Sequence, residues 1–200
     1  MRKNVQYALR AWLFFMALLA CSSAFVEAAN PDACEAQLPI PLREVLQKQF
    51  PGYRLAKVSD YSGEDIEQHK THFNGNPCLA VATADADGDG FVDFSFLIVD
   101  GSKHTLLIAA RNLLGKTWRL EKLSDFGNEG PGRSYVETID AGAYADMYAS
   151  DKGPWDYTPE PGRVRRYKAI HSGFIAGGIE SSGAAYFYDG KRWVHLWLSD

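Results

Sequence analysis

The period of the apolar positions changes three times along this chain. The first apolar stretch, AWLFFMALLA (11–20), is unbroken and follows a basic start at Arg2, Lys3 and Arg10. After residue 40 the spacing turns helical. Leu42, Val45, Leu46 and Phe50 fall near one face, Pro41 suits the first turn, and Pro51-Gly52 stops the run. RLAKVSDY (54–61) then reads as a strand, and 62–77 is polar and turn-rich with a helical turn around 64–70. From Cys78 the period shortens to two. CLAVATAD (78–85) is short and apolar, and FVDFSFLIVD (91–100) puts Val92, Phe94, Phe96 and Ile98 on one face. HTLLIAAR and WRLEKLSDF follow at even spacing, separated by the turn sequences DGSK and NLLGK.

The middle, 127–161, is rich in Gly, Pro, Asp and Tyr and predicts loops with short strands such as SYVETI (134–139). Strand patterns return in YKAIHSGFIAG (167–177) and AAYFYDGKRWVHLWLSD (184–200), where Asp189-Gly190 marks a two-residue hairpin turn. Trp193, His195 and Trp197 share one face of the last strand; Val194, Leu196 and Leu198 share the other. Such a strand is central or covered on both sides. The expectation is an α+β fold, mainly an antiparallel β-sheet meander with one N-terminal helix packed on it, in a single globular domain over 30–200. About 170 residues are enough for a sizeable core.

Residues 1–29 have the layout of an export signal, with an apolar core too short to anchor the chain across a bilayer. Two processing sites follow. LLAC (18–21) resembles the lipobox of bacterial lipoproteins, which implies lipidation of Cys21 as the new N-terminus. VEA (26–28) precedes an ordinary cut that would discard Cys21. Ser22 after that cysteine fits outer-membrane sorting in a Gram-negative cell. The expected location is periplasmic or outer-membrane-associated, with secretion as the alternative, and membrane contact only through a lipid at Cys21.

Charge and cysteines fit that compartment. A cut at Cys21 removes three basic residues and no acidic one, leaving 18 basic against 25 acidic residues, a net of −7. An acidic surface disfavours nucleic acid and anionic lipid as partners. Cys34 and Cys78 remain as an even pair in an exported chain, which predicts a disulfide; two buried free thiols are the alternative. Closing a loop of that size stabilises by about 4 kcal/mol at most.

The densest chemistry lies in DADGDGFVD (85–93), where Asp85, Asp87, Asp89 and Asp93 crowd together. Like charges so close repel unless a cation sits among them. Calcium takes many hard oxygens from a flexible backbone. Asp85, Asp87 and Asp89 offer three carboxylates on one side of a curled loop, Gly88 helps the curl, and Gly90 permits a sharp turn. The Phe91 carbonyl and Asp93 supply further oxygens. D-x-D-x-D-G is the front half of a helix–loop–helix calcium loop. The back half differs, because position twelve is Phe96 rather than glutamate and the flanks are strands.

ADADGDGFVDFSFLIV (84–99) resembles instead the strand–loop–strand calcium loop of FG-GAP and VCBS-type repeats, D-x-D-x-D-G-x-x-D followed by apolar alternation. The resemblance implies Asp85, Asp87, Asp89 and Asp93 as side-chain ligands, the Phe91 carbonyl as a further ligand, and Ca²⁺ as a structural cofactor. It covers 16 residues. Those families stack several such repeats into propeller blades, whereas this chain carries one. More loosely, the chain resembles small uncharacterised bacterial exported proteins with one such loop and a C-terminal strand pair like DGKRWVHLWLSD, a likeness that implies no activity.

Other candidate chemistry is thinner. His69 and His72 form an HxxH beside Glu64, Asp65 and Glu67 without a third ligand, so a solvated surface is expected. His171 and His195 read as packed or half-exposed strand residues. No G-x-S-x-G elbow surrounds Ser181-Ser182, and no Gly-rich phosphate loop follows a strand. RVRRY (163–167) reads as a solvated face or an ion-pair partner. GPWDYTPEPG (153–162) places Trp155 and Tyr157 on a loop, either as a binding edge or as a lid on the sheet. The function expected is that of an exported calcium-binding, non-catalytic envelope or periplasmic protein with an unknown protein or small ligand as partner. The alternative is a periplasmic inhibitor or immunity-type protein that binds a foreign enzyme through its acidic surface and the Trp155/Tyr157 edge.

Overall fold

The helical spacing after residue 40 becomes helix α1 (Ile40–Gln49) in the computed structural model, which describes residues 31–149 and 160–198. Pro41 sits in its first turn, where a missing N–H costs nothing, and Leu42 and Leu46 are buried in the main core. RLAKVSDY does not extend as expected. Only β1 (Arg54–Leu55) pairs as a strand, because Asp60 turns the chain back on itself. Its carboxylate accepts the Lys57 N–H at 2.7 Å and both terminal guanidinium nitrogens of Arg54 at 2.7 and 2.8 Å. Val58–Asp60 is therefore a 3-10 turn.

Where one helical turn was expected, a second full helix forms, α2 (Gly63–His72). Ser62 caps it, accepting the Asp65 N–H at 3.1 Å and donating to the Asp65 carboxylate at 2.6 Å. His69, Lys70 and His72 lie in its last turn, the end that favours positive charge.

Strands β2 (Val81–Ala84), β3 (Asp93–Val99), β4 (Thr105–Leu113) and β5 (Thr117–Gly127) join β1 in an antiparallel sheet of order β1-β3-β4-β5. β2 also pairs with β3, its Ala84 opposite Asp93, so the aspartate stretch is the β2–β3 connection. All seven residues of β3 are buried, so both faces of the strand are covered. The alternation predicted from Val92 is not seen in burial: Val92 is 51% exposed, and every residue from the fully buried Asp93 to Val99 is buried.

The later strands depart from a single meander. β6 (Ser134–Ile139), β9 (Gly173–Gly178), β10 (Gly183–Tyr188) and β11 (Trp193–Leu198) form a second sheet of order β11-β10-β9-β6. β7 (Gly142–Ala145) and β8 (Arg166–Ala169) pair as a separate ribbon. The run YKAIHSGFIAG therefore splits at 170–172 between two sheets. β11 lies at a sheet edge rather than in the centre, and other backbone covers that edge. Val164 N–H donates to His195 O at 2.9 Å, His195 N–H to Gly162 O at 2.9 Å, and the Asp146 carboxylate accepts Trp197 N–H at 3.1 Å. Its two-sided apolar pattern has a separate cause, since Trp193 and Trp197 pack on the main core while Val194 and Leu196 belong to a second cluster against which Leu198 packs.

The main core draws on both large sheets. Phe96, Leu97, Ile98, Leu107 and Ile108 cluster with Phe174, Ala176 and Tyr186. Burying each large side chain of this kind contributes about 2 kcal/mol. Hydrogen bonds tie the second sheet to β2 and its approach, Val136 N–H to Leu79 O at 2.9 Å and Thr138 Oγ1 to Thr83 O at 2.7 Å. A smaller cluster holds Phe187, on which Tyr144 and Tyr167 stack at 5.1 and 5.5 Å. Cys34 and Cys78 form a disulfide with their Cα atoms 5.1 Å apart, tying the start of the described chain to the approach of β2.

Candidate metal centre

The connection from β2 to β3 curls because two glycines take left-handed backbone angles, Gly88 at φ +73° and Gly90 at φ +85°. Gly88 is also constrained from outside. The His171 ring lies flat against it, so that a Cβ there would come within 2.1 Å of the imidazole. The loop fastens itself with aspartates. Asp85 accepts the Gly90 N–H at 3.1 Å, Asp87 the Asp89 N–H at 3.3 Å, and Asp89 the Phe91 N–H at 2.9 Å. Asp89 also accepts the Leu114 N–H at 3.1 Å, reaching into the turn between β4 and β5.

These bonds gather carboxylates. Asp85, Asp87 and Asp89 each present one oxygen, and the three oxygens lie within 4.8 Å of one another. Asp85 Oδ1 is closed off from solvent and has no hydrogen-bond partner. A buried carboxylate oxygen without a donor costs free energy that a cation would recover. Oxygen-only donors suit a hard cation and exclude a thiolate or imidazole zinc site of the structural kind.

Asp93 plays a different part from the other three. It is not in the converging group, and both its oxygens are taken by buried backbone: Ala86 N–H at 3.0 Å and Asn112 N–H at 2.8 Å. It therefore staples the loop to β4. Burial pushes its carboxyl up to about 6, with Asp87 and Asp89 adding to the rise and the two amides opposing it. Phe91 likewise braces the loop. Its ring lies over Gly115, where a Cβ would approach to 2.6 Å, and the residue stays 40% exposed.

A residue the sequence reading passed over answers part of the charge question. Arg111, only 5% exposed on β4, donates to Asp87 at 3.2 Å and to Glu121 at 3.3 Å, and its guanidinium sits 3.8 Å from the centre of the Tyr188 ring. One protein cation thus stands beside the crowded carboxylates and neutralises a minority of them. Its signal was a lone charge ending the apolar run HTLLIAAR, since an arginine on a buried strand needs an acidic partner.

The remaining candidates fall elsewhere. His69 is buried rather than solvated, with its ring stacked on Phe73 at 4.3 Å. Burial holds its imidazole below the ordinary value, against a hydrogen bond with the Cys78 backbone. From the RVRRY cluster, Arg163 serves as an ion-pair partner, donating to both oxygens of the buried Asp146 at 2.9 and 3.0 Å. Cys21 and the segments LLAC and VEA lie outside the described residues, as do Trp155 and Tyr157. Among the described residues no helix is long and apolar enough to cross a membrane. No protein-family model, curated protein or solved structure matches this chain.

Proposed function

We propose that this chain is an exported, non-catalytic calcium-binding protein whose 85–93 loop holds a structural Ca²⁺ in the manner of a single FG-GAP/VCBS-type loop. The observation that carries the reading is the convergence of three carboxylate oxygens beside Asp85 Oδ1, which is buried and unpartnered. Asp85, Asp87, Asp89 and the Phe91 carbonyl are its ligands. Asp93 contributes by keeping the loop closed through two amides. Calcium is favoured over magnesium because an irregular set of carboxylates on a curled backbone suits a flexible shell better than a strict octahedron. Export rests on the layout of residues 1–29 and on the disulfide, which persists in an oxidising compartment. The periplasm or the outer membrane, through a lipid at Cys21, is the proposed location.

The test is thermal. Extracellular calcium modules bind with Kd of about 10⁻⁴ to 10⁻³ M. At about 10 mM calcium, linkage then stabilises the fold by roughly 1.4 to 2.7 kcal/mol, a Tm rise of about 3 to 10 °C for a chain of this size. The rise should vanish in Asp85→Asn and Asp87→Asn and be much smaller with magnesium. Identical melts in calcium and in EDTA would overturn the assignment.

A further inference from the structure

A second set of polar groups lies away from the aspartate loop, in a cleft of 340 Å³ between α2, β6 and the turn joining β9 to β10. Its walls are apolar at Phe73, Tyr135 and Ile179, and its charged groups are Asp65, Glu137 and Glu180, with His72 at the side. A further cavity of 200 Å³ adjoins it and shares His69, Phe73 and Glu137. Among the described residues, no lysine or arginine lines either one.

Glu137 is the unusual member. It sits on β6 opposite Ile175, where its side chain is half-buried. Burial raises its carboxyl above the ordinary value, and His72 draws it only partly back. No hydrogen bond or ion pair to another described residue satisfies it. Asp65, by contrast, is held by Ser62. The wall opposite is fixed, since His69 stacks on Phe73 and hydrogen-bonds the backbone of the disulfide residue Cys78. The groups do not converge on a point. Among the described residues, only the Asp85, Asp87 and Asp89 oxygens approach one another closely enough to hold a metal ion.

A carboxylate with His72 nearby but no hydrogen bond or ion pair among the described residues, flanked by aromatic and aliphatic walls in a preformed cleft, matches a positive head on an apolar body. We propose that this cleft binds a small organic ammonium ion. The charged head pairs with Glu137, with Asp65 and Glu180 strengthening the field, and the hydrocarbon part lies on Phe73, Tyr135 and Ile179. The same chemistry comes from a free amine or from a lysine side chain of a peptide.

The probes are phenethylammonium, N-acetyl-lysine methylamide and the neutral isostere 2-phenylethanol, titrated into the isotopically labelled protein in EDTA and followed by amide NMR shifts. Chelation keeps the outcome independent of calcium at the other site. The expected result is saturable shifts at Tyr135, Glu137 and Ile179, with phenethylammonium about tenfold tighter than the alcohol. Glu137→Gln should erase that preference while leaving the alcohol unchanged. Its Tm should be equal or higher, because it removes an unpaired half-buried charge. Tighter binding of the lysine derivative supports the ammonium and identifies a peptide as its source. Equal affinity for amine and alcohol, a preference that survives Glu137→Gln, or the absence of saturable shifts would overturn the proposal.

Discussion

Replacing Asp93 by asparagine removes its charge but also turns one of its two acceptor oxygens into a donor facing a backbone N–H. That loss does not vary with pH, so the difference in pH dependence between the two chains isolates the titration of the carboxyl. The folded carboxyl is raised to about 6 from an ordinary 3.8, chiefly by burial and then by Asp87 and Asp89. The folded chain therefore holds this proton more tightly than the unfolded one. The resulting stabilisation is fully present below the unfolded value and is lost as pH rises through about 6. Between about pH 4.5 and 7.5 the linkage amounts to roughly 2 kcal/mol, or about 1 to 2 kcal/mol after allowance for solvent screening near the loop. Urea melts of both chains in EDTA should show wild type losing that amount relative to Asp93→Asn across the window. His69 and His195, both lowered by burial, titrate nearby but are common to the two chains and cancel. Calcium should flatten the wild-type curve, since a cation among Asp85, Asp87 and Asp89 favours the ionised form of their neighbour. Parallel curves for the two chains in EDTA would refute the reasoning about burial. A curve unchanged by saturating calcium would refute the placement of the ion.

Gly88→Ala should cost at least about 2 kcal/mol in chemical denaturation, because it combines a left-handed angle with a clash against His171. Adding His171→Ala should recover the steric part and leave about 1 kcal/mol of backbone strain. Arg111→Met should destabilise the protein by about 3 kcal/mol in EDTA, since it strips the guanidinium from Asp87 and Glu121, and calcium should restore more stability to this variant than to wild type. Asp146→Ala should cost about 3 to 5 kcal/mol by removing the bidentate partner of Arg163 and the acceptor of the Trp197 and Tyr148 amides. Burial raises the Asp146 carboxyl, but these donors outweigh it and hold the group below the ordinary range. Its contribution is thus present above the unfolded value and lost as pH falls through the folded one. The acid limb of wild type should consequently be steeper than that of Asp146→Asn below about pH 4.

What could be read from sequence was what depends on neighbours along the chain. Helix α1 follows from the spacing of Leu42 and Leu46 with Pro41 ahead of it. The pairing of Cys34 with Cys78 follows from their being the two cysteines that remain once Cys21, inside the expected export signal, is set aside. The three converging aspartates follow from alternation and two glycines. What could not be read depends on distant partners. The split of the strands between sheets is set by pairings such as Val136 with Ala176 and by the bond from Val136 to Leu79. The extension of α2 to ten residues rests on a local cap, a signal present in Ser62 and Asp65 that the polar composition of the segment masked. Asp93 reads from its spacing as a fourth ligand; that the Asn112 amide of β4 also fastens it could not be read, because that partner lies 19 residues away. Glu137 gave no signal, since a cleft carboxylate is defined by what faces it.

The aspartate loop and the β4–β5 hairpin are sewn together at successive points: Asp93 to the Asn112 amide, Asp89 to the Leu114 amide, and the Phe91 ring over Gly115. A hairpin tip is ordinarily the place where a chain tolerates an extra residue, because nothing else depends on its length. Here the tip works as a jig for another segment. Lengthening it by one residue at 114–116 would displace the Leu114 amide and the Gly115 under the Phe91 ring, and loosen a cradle built on strands the insertion never touches. Slowed hydrogen exchange at the Asn112 and Leu114 amides offers a way to watch the cradle fill from outside it.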